Sequence, residues 1–289
     1  MAVKMGLFKY SVFTVMTPDL TVEEVPKVLA ELGYEGVEWR VAQVPSEIKE
    51  INYWRGNKAT LDVTKLLEEA KRAKKLCDDY GLKVSALGTY LRCNSDPDQI
   101  INAMKAAQIL ECSQIRVGVP RYDGSIDYNK LFSKALEEYR NVEKLAKEYG
   151  VKTNIEIHMR TICPSASSAY RFVSNFDPEY VGIIYDPGNM VHEGFENWQM
   201  GLELIGSYLA HVHVKNACWF VISEEYGAKR WRPMHSPLRE GMVHWRDVLL
   251  ALRKIGYREW LSFEDFSAGD TISKLRDNIL FMKSLERTL

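Results

Sequence analysis

Glu156, Asp186, His213 and Glu264 each fall inside or just after a run of Val, Ile, Leu, Tyr or Phe. The segments read Asn-Ile-Glu156-Ile-His, Ile-Tyr-Asp186-Pro-Gly, His-Val-His213-Val-Lys and Ser-Phe-Glu264-Asp. Such runs read as buried strands, which places each group at the carboxyl end of its own strand. A single acid there is as readily a buried ion-pair partner. Three acids and one imidazole on four consecutive strands point instead to a site for one divalent ion. Oxygen-rich ligation with one imidazole suits Mn²⁺ first, with Mg²⁺ and Zn²⁺ as alternatives. Such an ion can hold a carbonyl oxygen and the neighbouring hydroxyl of a sugar, acidify the adjacent C–H and stabilise an enediolate. Glu156 and Glu264, on different strands, approach that substrate from different sides, one to remove a proton and the other to return one. Epimerisation, aldose-ketose isomerisation and β-elimination of water all begin this way.

Other residues decide which of these reactions ensues. Side chains alternate along a strand, so Asn154, Glu156 and His158 share one face, as do His211, His213 and Lys215. His158 is a candidate acid or base, or a hydrogen-bond partner. Lys215 is placed to hold a carboxylate or neutralise an alkoxide, or to pair with an acid at the strand ends. Asn189 and Glu38 are further candidates for substrate contact, and an interior Glu38 needs a partner such as Lys215 or Arg40. His211 is expected to be a packed, hydrogen-bonded interior residue, and His192 and His244 to lie away from the ion. Arg40, Arg116, Arg121 and Arg160 are candidates for a phosphate or for ion pairs.

The elements that must position these groups alternate from end to end, apolar strand then amphipathic helix, the pattern of a parallel α/β fold. Strands are predicted near 7–13, 36–41, 83–88, 114–119, 152–158, 181–186, 209–216 and 260–265. Helices are predicted over 21–32, 65–80, 98–110, 128–149, 245–255 and 272–285, with a capping box between Thr21 and Glu24 and with Gly81, Gly150 and Gly256 as terminators. Eight such units in one chain predict a (β/α)8 barrel, a single catalytic domain over residues 1–289. No G-x-G-x-x-G follows the first strand, which counts against a doubly wound dinucleotide fold. Long connections over 42–60 and 217–243 follow the second and seventh strands. They carry Trp54, Arg55, Trp219, Arg230, Trp231, Arg232 and His235, a composition that suits a lid over a polyhydroxylated ligand. Trp54 and Arg232 are the candidate substrate contacts among them.

Composition narrows the partners. Lys plus Arg (38) nearly balance Asp plus Glu (39), so no global field favours a polyanion, and nucleic acid is not expected as a partner. The five scattered cysteines contain no C-x-x-C pair and read as reduced packing residues of a cytoplasmic protein. The first ten residues lack an apolar signal core, and no apolar stretch reaches membrane-spanning length.

Taken together, Gly-Val-Glu38-Trp-Arg, Glu156-x-His158, Tyr-Asp186-Pro-Gly-Asn189, His211-Val-His213-Val-Lys215, Arg-Glu-Gly-Met-Val-His-Trp245 and Gly-Tyr-x-x-Trp-Leu-Ser-Phe-Glu264 resemble the xylose isomerase-like TIM barrel family over nearly the whole chain. That family groups sugar isomerases and ketose 3-epimerases with inosose dehydratases and shares its barrel with endonuclease IV. The resemblance implies one metal held by Glu156, Asp186, His213 and Glu264, with the two glutamates also moving protons. It implies a divalent-metal-dependent isomerase or epimerase acting on a small carbohydrate, as a homo-oligomer or with a partner subunit. Two departures bear on the choice within the family. Val214-Lys215-Asn216-Ala217-Cys218 stands where the tagatose epimerase type has Gly-Glu-x-Asn-Arg, and Asn189 stands where that type, and endonuclease IV for its zinc cluster, have histidine. The alternative they favour is a lyase, dehydrating a keto-inositol or eliminating from a 3-keto glycoside.

Overall fold

A computed structural model describes residues 6–289; the leader reading falls partly on residues 1–5 and to that extent lies outside the described residues. The chain opens with β1 (Lys9–Phe13), α1 (Glu24–Leu32), β2 (Gly36–Ala42), β3 (Thr60–Asp62), α2 (Leu66–Asp79), β4 (Lys83–Thr89), α3 (Pro97–Ile109) and β5 (Gln114–Arg116). It continues through α4 (Tyr128–Tyr149), β6 (Lys152–Glu156), α5 (Ala166–Val173), β7 (Val181–Tyr185), α6 (Pro187–His192), α7 (Trp198–Ile205) and β8 (Leu209–Val214). The last elements are β9 (Asn216–Glu225), β10 (Ala228–Ser236), α8 (Trp245–Lys254), β11 (Trp260–Phe263) and α9 (Thr271–Glu286).

Strands β1, β2, β4, β5, β6, β7, β8 and β11 pair in parallel in that order, and β1 pairs with both β2 and β11, closing a (β/α)8 TIM barrel. The short β3 takes over from β1 along β2: β1 covers Gly36 to Glu38, and β3 covers Arg40 to Ala42. The expected strands are all present, most of them shorter at their carboxyl ends, so Asp186 and Glu264 fall just past β7 and β11. At α1, Thr21 and Glu24 exchange the reciprocal bonds of the expected capping box. Gly81, Gly150 and Gly256 follow their helices with positive φ, as terminators must.

Apolar helix stripes pack on the outward faces of the strands, where Trp39, Tyr139, Phe172 and Trp245 are buried. The aromatic group Phe132, Tyr139, Phe172 and Phe176 seals α4 and α5 to the barrel, with ring centroids 5.4–5.7 Å apart. The barrel interior differs from the usual layers of branched aliphatics. It holds Phe13, Glu38, Arg116, Asn154, Glu156, His211, His213 and Lys215, all buried. A close approach makes this possible: a Cβ at Gly88 would lie 2.3 Å from the Phe13 ring, so glycine there lets Phe13 lie across the interior.

The segment over 217–243, read from sequence as a loop, contains the antiparallel hairpin β9–β10, with a register irregularity between Arg230 and Trp231. Asn216 anchors it: its Nδ2 donates to Leu238 O (2.8 Å) and Val243 O (3.0 Å), and its Oδ1 accepts from Val243 N (2.8 Å). The 43–59 connection folds onto the other side, where Tyr53 and Trp54 each pack 5.0 Å from the Phe266 ring.

Candidate metal centre

Glu156 is the last residue of β6 and Glu264 the first beyond β11, its N–H donating to Val214 O at 3.0 Å. Asp186 caps α6: Oδ1 accepts from Asn189 N at 2.8 Å, and Pro187 opens the helix, which turns Oδ2 inward. His213 lies one residue from the end of β8. One ligand atom from each of these four residues falls within a set no wider than 4.8 Å. His213 Nδ1 is 3.1 Å from Glu156 Oε1 and 3.6 Å from both Asp186 Oδ2 and Glu264 Oε2.

The opposite edge of the His213 ring explains its orientation. Its Nε2 lies 3.2 Å from Glu38 Oε2, which also meets His211 Nε2 at 2.9 Å. An ionised carboxylate only accepts, so both Nε2 atoms donate. The His213 ring is further held by stacking on Phe13 at 5.6 Å. With a proton on Nε2, a neutral His213 aims its Nδ1 lone pair at three carboxylate oxygens. Lone pair against lone pairs is repulsive unless a cation lies between them. Either a second proton on Nδ1 or a metal ion meets that requirement, so the residues present fit a divalent ion. Burial alone would lower the His213 pKa, but Glu38, Asp186 and Glu156 raise it well above the usual histidine range.

The two glutamates are driven apart. Burial would raise Glu156, yet the Arg116 guanidinium, 2.6 Å from Oε2, and His213 hold it well below the usual carboxylate range. Glu264 is pushed up to about 7 by burial and by Glu156 and Asp186, against the pull of Lys215 and His213. Lys215 pairs with Glu264 and lies 2.9 Å from Asp186 Oδ2; burial opposes its charge, but those acids keep it an ammonium. Its stem lies so close over α6 that a Cβ at Gly188 would meet Lys215 Cγ at 2.1 Å. Asn189 ties the acids together, donating through Nδ2 to Asp186 Oδ2 (2.9 Å) and Glu156 Oε1 (3.2 Å).

Above these groups opens a cavity of about 960 Å³. Glu156, Glu264, His158, Asn189, Lys215, Trp54 and Arg232 line it, while Asp186 and His213 lie behind its wall with no exposure. His158 Nδ1 meets Met159 O at 2.7 Å and therefore donates, leaving Nε2 as the free ring nitrogen; burial first, then Lys215, keeps it neutral.

Two expectations, both at Glu38, are corrected by this geometry. Glu38 does not reach the cavity: it is fully buried beneath His213, and its partners are two histidines instead of Lys215 or Arg40. Arg40 is engaged by Thr60 and the Trp54 carbonyl. His192 is not among the four converging groups, but it lines the cavity with its ring 5.0 Å from His235. His244 does lie outside, on the surface beside Asp247. Sequence reasoning also missed Phe13 and Phe266, whose one available signal was an aromatic at or just after a strand end. Glu38, His211 and His213 form a second potential ligand set, but all three are fully buried and already bonded to one another.

Comparison with known proteins bears on this architecture. The family model described as xylose isomerase-like TIM barrel matches residues 26–285. An inosose dehydratase from Bacillus licheniformis is 24% identical over 170 residues, 56% of this chain and 55% of the relative, so the chain spans about half the length of that curated protein. The structure of a 3-keto-D-glucoside 4-epimerase from E. coli superimposes with a TM-score of 0.72 at 15% identity, over 96% of this chain and 99% of the other. A xylose isomerase-like TIM barrel protein from Mycobacterium smegmatis, solved in complex with magnesium, gives 0.68 at 16% identity, over 98% and 97%.

Proposed function

Because the chain belongs to the xylose isomerase-like TIM barrel family, we propose that it is a divalent-metal-dependent carbohydrate isomerase or epimerase that begins by removing the proton beside a substrate carbonyl. The observation that carries this reading is the convergence of Glu156, Asp186, Glu264 and His213 Nδ1 at the floor of the cavity. These four would hold one ion, Mn²⁺ foremost and Mg²⁺ or Zn²⁺ in its place. When bound, it supplies charge that polarises a carbonyl and its neighbouring hydroxyl.

The chain's own residues would then divide the proton traffic. Glu156, kept ionised by Arg116, is the base that takes the proton from carbon. Glu264, on a separate strand and lining the same cavity, is the group that delivers a proton from the other side. Neutral His158, with Nε2 free, moves the proton of a substrate hydroxyl. Asn189, Lys215 and Arg232 orient hydroxyl oxygens, and Trp54 offers an apolar face to the ring.

In D₂O, the metal-loaded protein given a panel of ketoses and keto-inositols should place deuterium next to the carbonyl of one of them, with product mass otherwise unchanged. Glu156→Gln should lower that exchange at least about 100-fold. A metal-loaded protein that exchanges nothing contradicts the reading. A lyase is the second reading, favoured by the sequence match to an inosose dehydratase. On that reading the same abstraction is followed by loss of a hydroxyl that leaves as water with a proton delivered by Glu264, and the product is lighter by one water.

A further inference from the structure

Charge around the cavity is unbalanced. Arg92, Arg116, Arg121, Arg160, Lys215 and Arg232 line it against Glu156, Glu193 and Glu264. The inner cations are matched, Arg116 by Glu156 and Lys215 by Asp186 and Glu264. Among the described residues the other four arginines make no ion pair; Glu193 accepts from the Arg160 backbone N–H at 2.7 Å. A divalent ion at the quartet would add to this positive excess.

The backbones of Arg92 and Arg121 are also held in place. Arg92 follows β4, and its backbone bridges to Gly118 beyond β5, while Arg121 bridges to Thr161 beyond β6. The half-buried Arg92 guanidinium donates from Nη1 to Val119 O at 3.0 Å, which fixes its plane and leaves its remaining donors without protein partners. Arg92, Arg116 and Arg121 line the same cavity with Glu156, and burial, then the charges of Arg121 and Arg116, pull Arg92 below the usual arginine range. Like charges lining one cavity repel unless an anion lies between them. The planar guanidinium fork suits a carboxylate or a phosphate.

We propose that the substrate of this site carries an anionic group, a carboxylate or a phosphate ester, seated against Arg92 and Arg121 on the β4–β5 side of the cavity. The inference deepens the reaction proposed above and rests on it for the chemistry, but not for binding. Arg116 joins the two regions, pairing with Glu156 and lining the same cavity as Arg92 and Arg121, so the reacting carbon lies toward Glu156 and the charged end toward β4.

The test is calorimetric binding to the metal-loaded protein with two matched pairs, D-fructose 6-phosphate against D-fructose and D-glucuronate against D-glucose. The acidic member of at least one pair should bind at least tenfold tighter, with a preference that shrinks as salt is raised. The pair that shows it identifies phosphate or carboxylate. In Arg121→Gln, an exposed position, and in Arg92→Gln with Arg121→Gln, the preference should fall toward unity while neutral-sugar binding and metal content hold. Arg121→Lys, which keeps the charge, should retain most of it. Equal binding within both pairs, no binding of either acid, or a preference untouched by the arginine changes overturns the inference. Because the readout is affinity, a protein that discriminates acids but exchanges no deuterium would count against the reaction alone.

Discussion

At His213 the ring has an acid on each side, and the two sides are not equivalent. Glu38 accepts the Nε2–H, and that fixes Nδ1 as the nitrogen facing Glu156, Asp186 and Glu264. Glu38→Gln, isosteric but able to present an N–H, should let the ring flip or lose its tautomer. Metal affinity measured against a competing chelator should then fall by about 10–100-fold, although Glu38 touches no substrate. An unchanged affinity would mean that His213 is oriented by Phe13 alone. The four converging groups were legible because each closes its own apolar run. The partners of Arg116 and Glu38 were not legible, because Glu156 and the two histidines are 40 and more than 170 residues away, and only barrel closure decides which charges meet.

Among the elements, the eight barrel strands were legible because buried parallel strands are continuous apolar runs. The hairpin β9–β10 was not. Most of its residues are exposed, Phe220, Val221, Ile222 and Trp231 among them, so no alternation of burial marks it as sheet. Helices α5, α6 and α7 were missed because six to eight residues give too few turns for a stripe to register. The hairpin reaches over the cavity: Arg232, Met234 and His235 line it, and Trp219 Nε1 donates to Val191 O at 2.7 Å, tying β9 to α6. Replacing 219–233 by a short turn while keeping Asn216 should leave the barrel folded and the metal bound. The KM of whichever substrate the D₂O panel identifies should rise at least about tenfold, because an open mouth no longer shields the ligand. Loss of metal from such a variant would show that the hairpin supports the floor as well as the roof.

For the whole molecule, the proposed ligands come from β6, β8 and the residues just past β7 and β11, so one ion would tie together the half of the barrel that ends where β11 closes on β1. Three buried carboxylates beside one lysine and one arginine are costly to keep charged without further positive charge. Saturating metal should therefore raise the melting temperature, by roughly 5–10 °C at a hundredfold excess over Kd, and chelation should reverse it. A melting temperature indifferent to both would place the ion outside the fold's stability. The most direct test of the proposed metal centre is a crystal structure of the Mn²⁺-soaked protein with anomalous data collected at the manganese edge. One peak is expected, about 2.0–2.3 Å from Glu156, Asp186, Glu264 and His213 Nδ1. No peak there, or one held by Glu38, His211 and His213 Nε2 instead, would contradict that assignment.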